Sequence, residues 1–371
     1  MTPAYEVAIL GGGPAGCATA IALRRLGIEG VVVVEADGYE RVRLGESIPP
    51  DSRVALERLG VWPGFVDGGH EPCLGSCSAW GDGALGYNDF LFNPHGHGWH
   101  LDRRRFDAFL AVEAVAAGAE LATGCTFKGA ERPAGAAFEL RLARRGGGPT
   151  TVRARFVVDA TGRRSSFARS MGARQVFHDR LTYVAAFMRR PSTSVLTRLT
   201  MLEAVEYGWW YAARLPGERL AVAVASDPDL VKSARLHTSE GWLAGLGATR
   251  HLARELAGCR IAGNRILARV APSFVLDRSA GNGWLAVGDA ASACDPISSQ
   301  GIHNALNDGL RAAEAIAARL GGDARALRGY HASIAARFAD YLNNRNYFYA
   351  LERRWPAAPF WARRSERVAV G

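Results

Sequence analysis

The first 35 residues combine two short apolar runs with a small-residue segment between them. Residues 7–10 (VAIL) and 31–34 (VVVV) are continuous apolar runs of the length that buried strands have. Residues 18–23 between them are mostly Ala, Ile and Leu, which favour a helix. The pattern therefore predicts a β-α-β unit whose two strands are buried in a parallel sheet.

Later segments show other periods. Residues 180–225 alternate apolar with polar residues, as strands of an antiparallel sheet do, and residues 284–287 (WLAV) predict one more buried strand. Residues 51–60, 239–256, 304–320 and 324–352 predict helices. Strands of a parallel sheet thus flank an antiparallel region, and long helices close the chain.

A glycine motif joins the first predicted strand to the first predicted helix. Its G-x-G-x-x-G frame is filled by Gly11, Gly13, Pro14, Ala15 and Gly16. In such a frame the first glycine permits a tight turn, the second lets the backbone approach a pyrophosphate, and the third lets the helix pack against the strand. The N–H groups at the helix start would face the phosphates. Glu35, after the second strand, has the spacing of a carboxylate that meets ribose hydroxyls, so FAD or NAD is predicted over NADP.

A second match to the same frame, Gly81, Gly83 and Gly86, follows no apolar run and precedes Tyr87 and Asn88 rather than a helix pattern. No nucleotide site is predicted there. We predict an α/β fold with a Rossmann-like dinucleotide domain interleaved with an antiparallel-sheet substrate domain, plus a C-terminal helical segment. The dinucleotide domain is assigned to residues 1–75, 100–175 and 265–335, the substrate domain to 76–99 and 176–264, and the C-terminal helix and tail to 336–371.

Composition narrows the class of protein. With 371 residues, 48% hydrophobic and 22% charged, the chain is typical of a globular enzyme. It has no apolar run of 18 residues and no secretory signal, so we expect a cytoplasmic protein with no integral membrane segment. Its six cysteines are scattered and predict no metal site. Lys and Arg together number 45 against 36 Asp and Glu, for a net charge of +9, yet no nucleic-acid motif accompanies the arginines.

Three further motifs follow the glycine loop in a fixed order. They are Asp102-Arg103 with Phe106, Asp107 and Leu110, then Val158-Asp159-Ala160-Thr161-Gly162, then Gly288-Asp289-Ala290 with Pro296 and Gly301. Together with the glycine loop and Glu35 they resemble the FAD-dependent hydroxylase, halogenase and geranylgeranyl-reductase superfamily, which shares the para-hydroxybenzoate hydroxylase fold. The resemblance covers nearly the whole chain and implies FAD as the cofactor.

The resemblance also implies roles for single residues. Arg103 would contact the FAD pyrophosphate region, Asp289 would accept a hydrogen bond from a ribitol hydroxyl, and Ser47 would contact the cofactor. The segment from Gly288 through Pro296 to Gly301 and Ile302 would bring backbone N–H groups and a helix N-terminus against the flavin, where a positive helix end stabilises the anion of reduced flavin. For Asp159 two roles stay open: support of the nucleotide loop, or capping of the turn at Thr161-Gly162.

Shorter similarities indicate a branch of the superfamily. Residues 45–49 (GESIP), 93–100 (NPHGHGWH), 208–211 (GWWY) and 352–361 (ERRWPAAPFW) resemble the halogenase-like branch. Within it they look closest to flavoproteins that oxygenate tryptophan side chains of a partner polypeptide during tryptophylquinone cofactor maturation. The implied substrate is an aromatic small molecule, or a carrier- or polypeptide-bound aromatic group.

Two departures from the halogenase pattern argue against halogenation. Halogenases of this type carry a lysine before the aromatic region, whereas residues 62–127 here contain none. They also carry an acidic residue in the flavin loop, where this chain has Ser298. We therefore predict a monooxygenase that hydroxylates an electron-rich aromatic ring through a flavin hydroperoxide formed from reduced FAD and O2. A dehydrogenase or reductase of the same fold is the alternative, with a halogenase behind it.

Candidate residues for the chemistry are fewer. His97 and His100 are candidate proton carriers, with a structural role as the alternative. At strand spacing Trp209 and Tyr211 share one face, which would line a substrate pocket or belong to the core, and Ser298 is a further candidate substrate contact. With no second nucleotide loop, electrons would come from a transient NAD(P)H or as reduced flavin from a separate flavin reductase.

Overall fold

The computed structural model describes residues 4–133, 136–192 and 196–365, apart from the side chain of Asn264. The predictions made for residues 1–3 and 366–371 lie outside this part. Its strands are β1 (Ala4–Leu10), β2 (Val31–Val34), β3 (Ser47–Ile48), β4 (Glu71–Cys73), β5 (Gly75–Ala79), β6 (Gly86–Asp89), β7 (Gly98–His100), β8 (Glu120–Ala122), β9 (Cys125–Glu131), β10 (Phe138–Arg144), β11 (Pro149–Asp159), β12 (Gln175–Phe177), β13 (Thr182–Arg189), β14 (Thr200–Val205), β15 (Gly208–Leu215), β16 (Arg219–Ser226), β17 (Arg260–Ile261), β18 (Leu267–Val270), β19 (Phe274–Leu276), β20 (Ala280–Gly281), β21 (Trp284–Ala286) and β22 (Ser292–Ala293).

The helices follow the same chain order. They are α1 (Pro14–Arg25), α2 (Ser52–Arg58), α3 (Trp62–Val66), α4 (Arg103–Ala116), α5 (Ser166–Ser170), α6 (Pro228–Ser233), α7 (Ser239–Gly247), α8 (Leu252–Glu255), α9 (Gly301–Leu320), α10 (Ala326–Leu351) and α11 (Pro359–Ser365), with 3-10 turns at Gly162–Arg164, Ala262–Asn264, Gly288–Ala290 and Pro296–Ser298.

The first sheet is the predicted dinucleotide-binding layer. Its central strands run in the order β21-β11-β1-β2-β8 and are parallel, while β20 and the β9–β10 pair extend it with antiparallel strands. Strand β1 lies between β2 and β11, so the chain changes direction across the sheet there. In open α/β sheets a ligand binds at such a reversal, beyond the carboxyl ends of the strands. The predicted β-α-β unit and the α/β class are confirmed.

The second large sheet has the order β17-β13-β16-β15-β14-β5-β6, with β18 beside β13, and only its β14–β5 pair is parallel. Strand β18, which the sequence division assigned to the dinucleotide domain, is thus paired with the second sheet. Two small antiparallel sheets, β12-β19-β22 and β3-β7-β4, lie beside the large ones. The second glycine frame leads into β6, a strand at the edge of this sheet, as its lack of a helix pattern indicated.

The C-terminal helices pack on the body of the protein. Trp361 of α11 is 2% exposed, and its indole N–H donates to the backbone oxygen of Val205 at 2.9 Å. Trp355 stacks on it with a ring separation of 6.3 Å. The tail therefore covers the second sheet rather than presenting its tryptophans outward. Among the described residues, no helix has the length and apolar character needed to cross a bilayer.

Candidate active site

A cavity of about 690 Å³ lies between the two large sheets. The carboxyl ends of β1 and β2 form one side through Leu10 and Val34, and β13, β15 and β18 form the other through Tyr183, Tyr211 and Leu267. The size is in the range of ligand-binding cavities. Of the sequence-predicted residues, those on its wall are Gly11, Gly13, Pro14, Ala15, Glu35, Ser47, Arg103, Tyr211, Asp289, Pro296, Gly301 and Ile302.

The three motif glycines have different surroundings. Gly11 has φ +116°, and a Cβ there would lie 2.1 Å from the backbone oxygen of Ala160. A Cβ on Gly16 would lie 1.9 Å from the backbone oxygen of Gly11, so Gly16 permits the close helix–strand packing. Gly13, in contrast, faces the cavity, and the nearest atom to its Cβ would be Arg43 Nη1 at 3.7 Å. Two of the glycines are thus required by protein packing, and one leaves space for a ligand.

Glu35 is tied to the glycine loop. The Gly12 N–H donates to Glu35 Oε2 at 2.7 Å, and the Asp37 N–H donates to Oε1 at 3.1 Å. Arg43 approaches the same Oε1 at 3.3 Å and, through its other nitrogen, Asp107 at 3.0 Å. Arg43 was not predicted. Its guanidinium, together with the loop N–H groups, partly offsets the negative charge beside the strand end.

Arg103 has most of its donors satisfied by protein. Its Nε and Nη2 donate to the two oxygens of Asp107 at 3.0 and 3.1 Å, and Nη1 donates to the backbone oxygens of Leu44 and Gly45 at 2.8 and 3.1 Å. The side chain is on the cavity wall, as the pyrophosphate role requires. The hydrogen bonds from Arg103 to Leu44 and Gly45 also hold the loop that precedes Ser47 in place.

Asp159 lies off the cavity wall and is fully buried. Its carboxylate accepts from the Thr161 N–H and hydroxyl at 2.9 and 2.6 Å and from the Ala168 N–H at 2.7 Å. Burial raises the pKa of Asp159, and these hydrogen bonds oppose the shift. Of the two roles considered for Asp159, the geometry matches the capping of the turn.

Asp289 and the start of α9 form the far end of the cavity. Asp289 Oδ2 is 3.3 Å from Nε of Arg163, whose other nitrogens donate to the backbone oxygens of Pro272 and Cys294 at 2.7 and 2.8 Å. Gly301 and Ile302, the first residues of the 20-residue α9, are also on the wall. The positive end of a long helix therefore points at the cavity. Gly288 lies just behind the wall with φ +55°, and a Cβ there would meet the Ala15 Cβ at 2.8 Å.

A chain of hydroxyls leads away from the cavity. Tyr211 Oη and Ser47 Oγ are 2.7 Å apart, Ser47 Oγ and Thr200 Oγ1 are 3.4 Å apart, and Thr200 Oγ1 is 2.8 Å from His100 Nε2. His100 itself is completely buried, and burial, with a smaller contribution from Arg214, lowers the pKa of His100 to about 3. The imidazole is therefore neutral near pH 7, and its connection to the cavity runs through two side-chain hydroxyls and Tyr211.

Four of the predicted chemical residues are away from the cavity wall. His97 contacts its neighbours, with Nδ1 2.8 Å from the backbone oxygen of Gly98 and its ring against Trp99. Trp209 is fully buried and donates to Tyr349 Oη at 3.0 Å. Ser298 donates to the backbone oxygen of Asp295 at 3.0 Å. His97, His100, Trp209 and Ser298 are thus held by protein contacts, while Trp209 and Tyr211 do share a face and Trp210 takes the other.

Three wall residues carry chemistry that the sequence reasoning left without a role: Glu46, Tyr183 and Asp295. Burial raises the pKa of Glu46 to about 7, with the Arg103 charge opposing the shift. Burial also raises the pKa of Tyr183 well above its ordinary value. Tyr183 could have been predicted from the sequence, because it lies in the same alternating segment as Trp209. In the sheet the two residues lie on the same face, two strands apart.

The cavity fits an adenine dinucleotide carrying a flavin. The space in front of Gly13 is open, Glu35 directly follows β2 on the cavity wall, and Arg43 and Arg103 supply positive charge beside the loop. At the other end Asp289 and the α9 N-terminus offer an acceptor and N–H groups. Groups whose chemistry suits phosphate, ribose and an anionic ring thus line the cavity in the order that FAD would require.

A comparison with known families identifies the family of the chain. The model of the tryptophan halogenase family matches residues 6–68 and 87–369. The chain belongs to the tryptophan halogenase family. A member of similar length is a protein of Marinomonas mediterranea named as an FAD-dependent oxidoreductase, LodB; it is 28% identical over 361 residues, covering 97% of this chain and 96% of that one.

Solved structures similar to this member of the tryptophan halogenase family extend the comparison. The myxobacterial chondrochloren halogenase CndH superposes with a TM-score of 0.90 at 20% identity over 99% of this chain and 88% of that chain, which shows the shared fold. The peptidyl tryptophan dihydroxylase QhpG, described as essential for tryptophylquinone cofactor biogenesis, superposes with a TM-score of 0.79 at 27% identity over 98% of this chain and 79% of that chain. The predicted family, with its halogenase-like branch, is confirmed, and FAD is the cofactor of such families.

Proposed function

We propose that this protein is an FAD-dependent monooxygenase that hydroxylates an electron-rich aromatic ring, with a tryptophan side chain of a partner polypeptide as its substrate. In this proposal the cavity between the two sheets holds FAD. Gly11, Gly13 and Gly16 with Pro14 and Ala15 bring the backbone to the pyrophosphate, Glu35 meets the ribose, and Asp289 and the α9 N-terminus hold the flavin end. When bound and reduced, the flavin supplies two electrons that activate O2 for transfer to the ring.

The observation that carries hydroxylation over halogenation is the position of the lysines. The chain has two, Lys128 and Lys232, and both are exposed and lie away from the cavity wall. Halogenases with which the chain shares its motifs use a lysine ammonium at the reacting centre. No such group reaches the cavity here, and Ser298 replaces the acidic residue of the flavin loop.

The remaining wall suits an aromatic substrate. Tyr183 and Tyr211 present buried rings on one side, and aromatic rings pack favourably against one another. The similarity to QhpG, a peptidyl tryptophan dihydroxylase, supports the choice of a polypeptide-borne ring. The net charge of +9 would favour an acidic partner. The electron source is transient NAD(P)H or a separate flavin reductase.

Halogenation is the second candidate, because the family model and the CndH structure are those of halogenases. The two chemistries leave different atoms on the product. The experiment that separates them incubates FAD-loaded protein with NADH and a flavin reductase as the electron source, candidate partner polypeptides, isotopically heavy O2, and both chloride and bromide. The tryptophan-containing peptides are then analysed by mass spectrometry.

Hydroxylation predicts the gain of one or two heavy oxygen atoms on tryptophan, independent of halide. A gain of chlorine or bromine would establish the halogenase instead. A modified product without heavy oxygen or halogen would indicate a dehydrogenase or reductase and contradict the proposal.

A further inference from the structure

Glu46 is a buried carboxylate on the cavity wall with an unused acceptor. It is 3% exposed, and its Oε1 has no hydrogen-bond partner within the described part of the chain. An unsatisfied buried oxygen of this kind costs free energy, and a native structure rarely retains one without a reason. Arg103 holds the loop in place through the backbone oxygens of Leu44 and Gly45, so the position of Glu46 is fixed rather than incidental.

The other acidic groups on the wall are already engaged. Glu35 accepts from the glycine loop, Asp37 accepts from the Tyr39 N–H at 2.7 Å, and Asp289 pairs with Arg163. Asp295 accepts from the Ile297 N–H at 3.0 Å with one oxygen and from the Tyr349 hydroxyl at 2.7 Å with the other. Of the cavity carboxylates considered, Glu46 is the one that combines burial with a free acceptor.

The electrostatic neighbours of Glu46 are one cation, two phenols and the backbone N–H groups of Gly45 and Glu46 itself. The Arg103 charge lies near the carboxylate, and the carboxylate in turn acts on Tyr183 and Tyr211. Burial raises the pKa of both tyrosines well above the ordinary value, so both are neutral hydroxyls that can donate but cannot act as bases at pH 7. His97 and His100 are off the wall, and the other described carboxylates on it are held by hydrogen bonds or ion pairs. Glu46 is the described wall carboxylate with an unpaired oxygen that can take a proton.

Hydroxylation of an aromatic ring requires such a group. The ring forms a new C–O bond with its π electrons while the O–O bond breaks, and the second oxygen atom leaves as water. The ring carbon then loses its hydrogen as a proton, and the C–H electron pair restores aromaticity. The two electrons that balance the reduction of O2 come from reduced flavin, as in the function proposed above.

Resting on that proposed function, we propose that the Glu46 carboxylate is the catalytic base that accepts the ring proton from an aromatic substrate in this cavity. The inference rests on a buried carboxylate that lies on the cavity wall, has an unpaired oxygen and is held in place by the contacts of Arg103 with its loop. The raised pKa of about 7 supports it, because a base works best when its pKa lies near the working pH.

The test compares Glu46→Gln, Glu46→Asp and Glu352→Gln in the FAD-loaded protein. Glu352 is equally buried but holds the tail through Arg354 and Gly81, remote from the cavity wall. The probe is N-acetyl-tryptophan amide, with and without deuterium on the indole ring. Product formation and hydrogen peroxide release are measured after photochemical reduction of the flavin and addition of O2.

We expect Glu46→Gln to bind FAD as the wild type does but to form hydroxylated product about 100-fold more slowly. Hydrogen peroxide release should not increase, because the O–O bond has already broken when the ring proton leaves. Deuterium on the ring should slow Glu46→Gln and not the wild type, because proton loss then limits the rate. Glu46→Asp should recover part of the activity, and Glu352→Gln all of it. Wild-type rates in Glu46→Gln, with no isotope effect, would overturn the inference.

A second measurement needs no substrate and separates failure of this inference from failure of the proposed function. Infrared difference spectra between about pH 6 and about pH 8 should show a protonated carboxyl band that titrates in the wild type and is missing from Glu46→Gln. If the wild type modifies neither the probe nor the partner polypeptides and the band is present, the proposed function fails and Glu46 keeps its proton-holding role. If the band is absent from the wild type, the inference about Glu46 fails whatever the probe does.

Discussion

Alanine at Gly11 and at Gly13 should have opposite consequences, although the two glycines are two residues apart in one motif. At Gly11 the backbone has φ +116°, where residues with a Cβ are strained, and the new methyl would lie 2.1 Å from the Ala160 oxygen. The Ala160 backbone cannot retreat easily, because its N–H donates to Leu10 at 2.9 Å within the central β1–β11 pair. Backbone strain of about 1–3 kcal/mol and overpacking of about 1–3 kcal/mol together predict a loss of about 2–6 kcal/mol in the free energy of unfolding.

Gly13 is the matched control. Its φ is −77°, a value open to any residue, and the nearest atom to a new methyl is 3.7 Å away. Gly13 is also the N-cap residue of α1. Alanine is a poorer N-cap than glycine but restricts the unfolded chain, so we expect the free energy of unfolding to change by less than about 1 kcal/mol. The methyl would instead occupy the space in front of the loop, where the pyrophosphate is proposed, and weaken FAD binding by about 10- to 100-fold, or about 1.4–2.8 kcal/mol.

Urea unfolding of the FAD-free proteins, followed by tryptophan fluorescence, measures the first effect, and titration with FAD, followed by flavin fluorescence, measures the second. The interpretation predicts that Gly11→Ala loses stability and Gly13→Ala loses affinity. Wild-type stability in Gly11→Ala would refute the argument from close backbone approach. Wild-type affinity in Gly13→Ala would refute the placement of the pyrophosphate.

Three further substitutions test other parts of the structure by urea unfolding. Asp159→Asn should cost about 1–3 kcal/mol, because a buried carboxylate that accepts from Thr161 and Ala168 is replaced by an amide with fewer acceptors, and an unchanged midpoint would contradict the capping role. Trp361→Ala should cost about 3–5 kcal/mol by emptying a buried site under the tail, whereas an exposed tail would give less than about 0.5 kcal/mol. Glu46→Gln should leave the free energy of unfolding unchanged near pH 4 but raise it by up to about 3 kcal/mol at pH 8. The reason is that the pKa of Glu46 is higher in the folded protein than in the unfolded chain, so the wild type loses stability as the pH rises from about 4.5 to about 7. Parallel curves of stability against pH for the two proteins would show that the pKa of Glu46 is not perturbed.

The local β-α-β unit could be predicted because its signals are short-range. The apolar runs, the glycine frame and Glu35 lie within 30 residues, and Gly16 is required by a contact inside that unit, its close approach to the Gly11 oxygen. The boundary of residues 239–256 could not be predicted in the same way. The segment forms two helices because Glu203, from β14, accepts hydrogen bonds from the N–H groups of residues 250–252 and starts α8 anew. That contact joins residues 47 to 49 positions apart and leaves no periodic trace.

The residues available for chemistry in the cavity also depend on long-range contacts that the sequence pattern does not reveal. His97 and His100 stand out in sequence as titratable residues in a segment rich in aromatic residues, but β7 pairs with β3 and β4, which buries His100 behind Thr200. Glu46 gives the opposite case, because a single acidic residue beside a proline-rich loop usually lies in solvent. Its burial depends on Arg103, which is 57 positions away and holds the loop against the protein. Which acid is buried is thus decided by a long-range contact rather than by the residues around it.

The C-terminal helix belongs to the active-site region as much as the glycine loop does. Trp209 donates to the Tyr349 hydroxyl, which donates to Asp295, and Tyr341 contacts the backbone N–H of Asp295 at 2.7 Å. Asp295 caps the turn at Pro296–Ser298 that leads into α9. The N-terminus of α9 therefore sits where α10 places it, and the second sheet is connected to that position through Trp209. A buried tryptophan that was a candidate substrate contact thus has a structural connection to the proposed flavin site, because three elements distant in sequence fix the same loop.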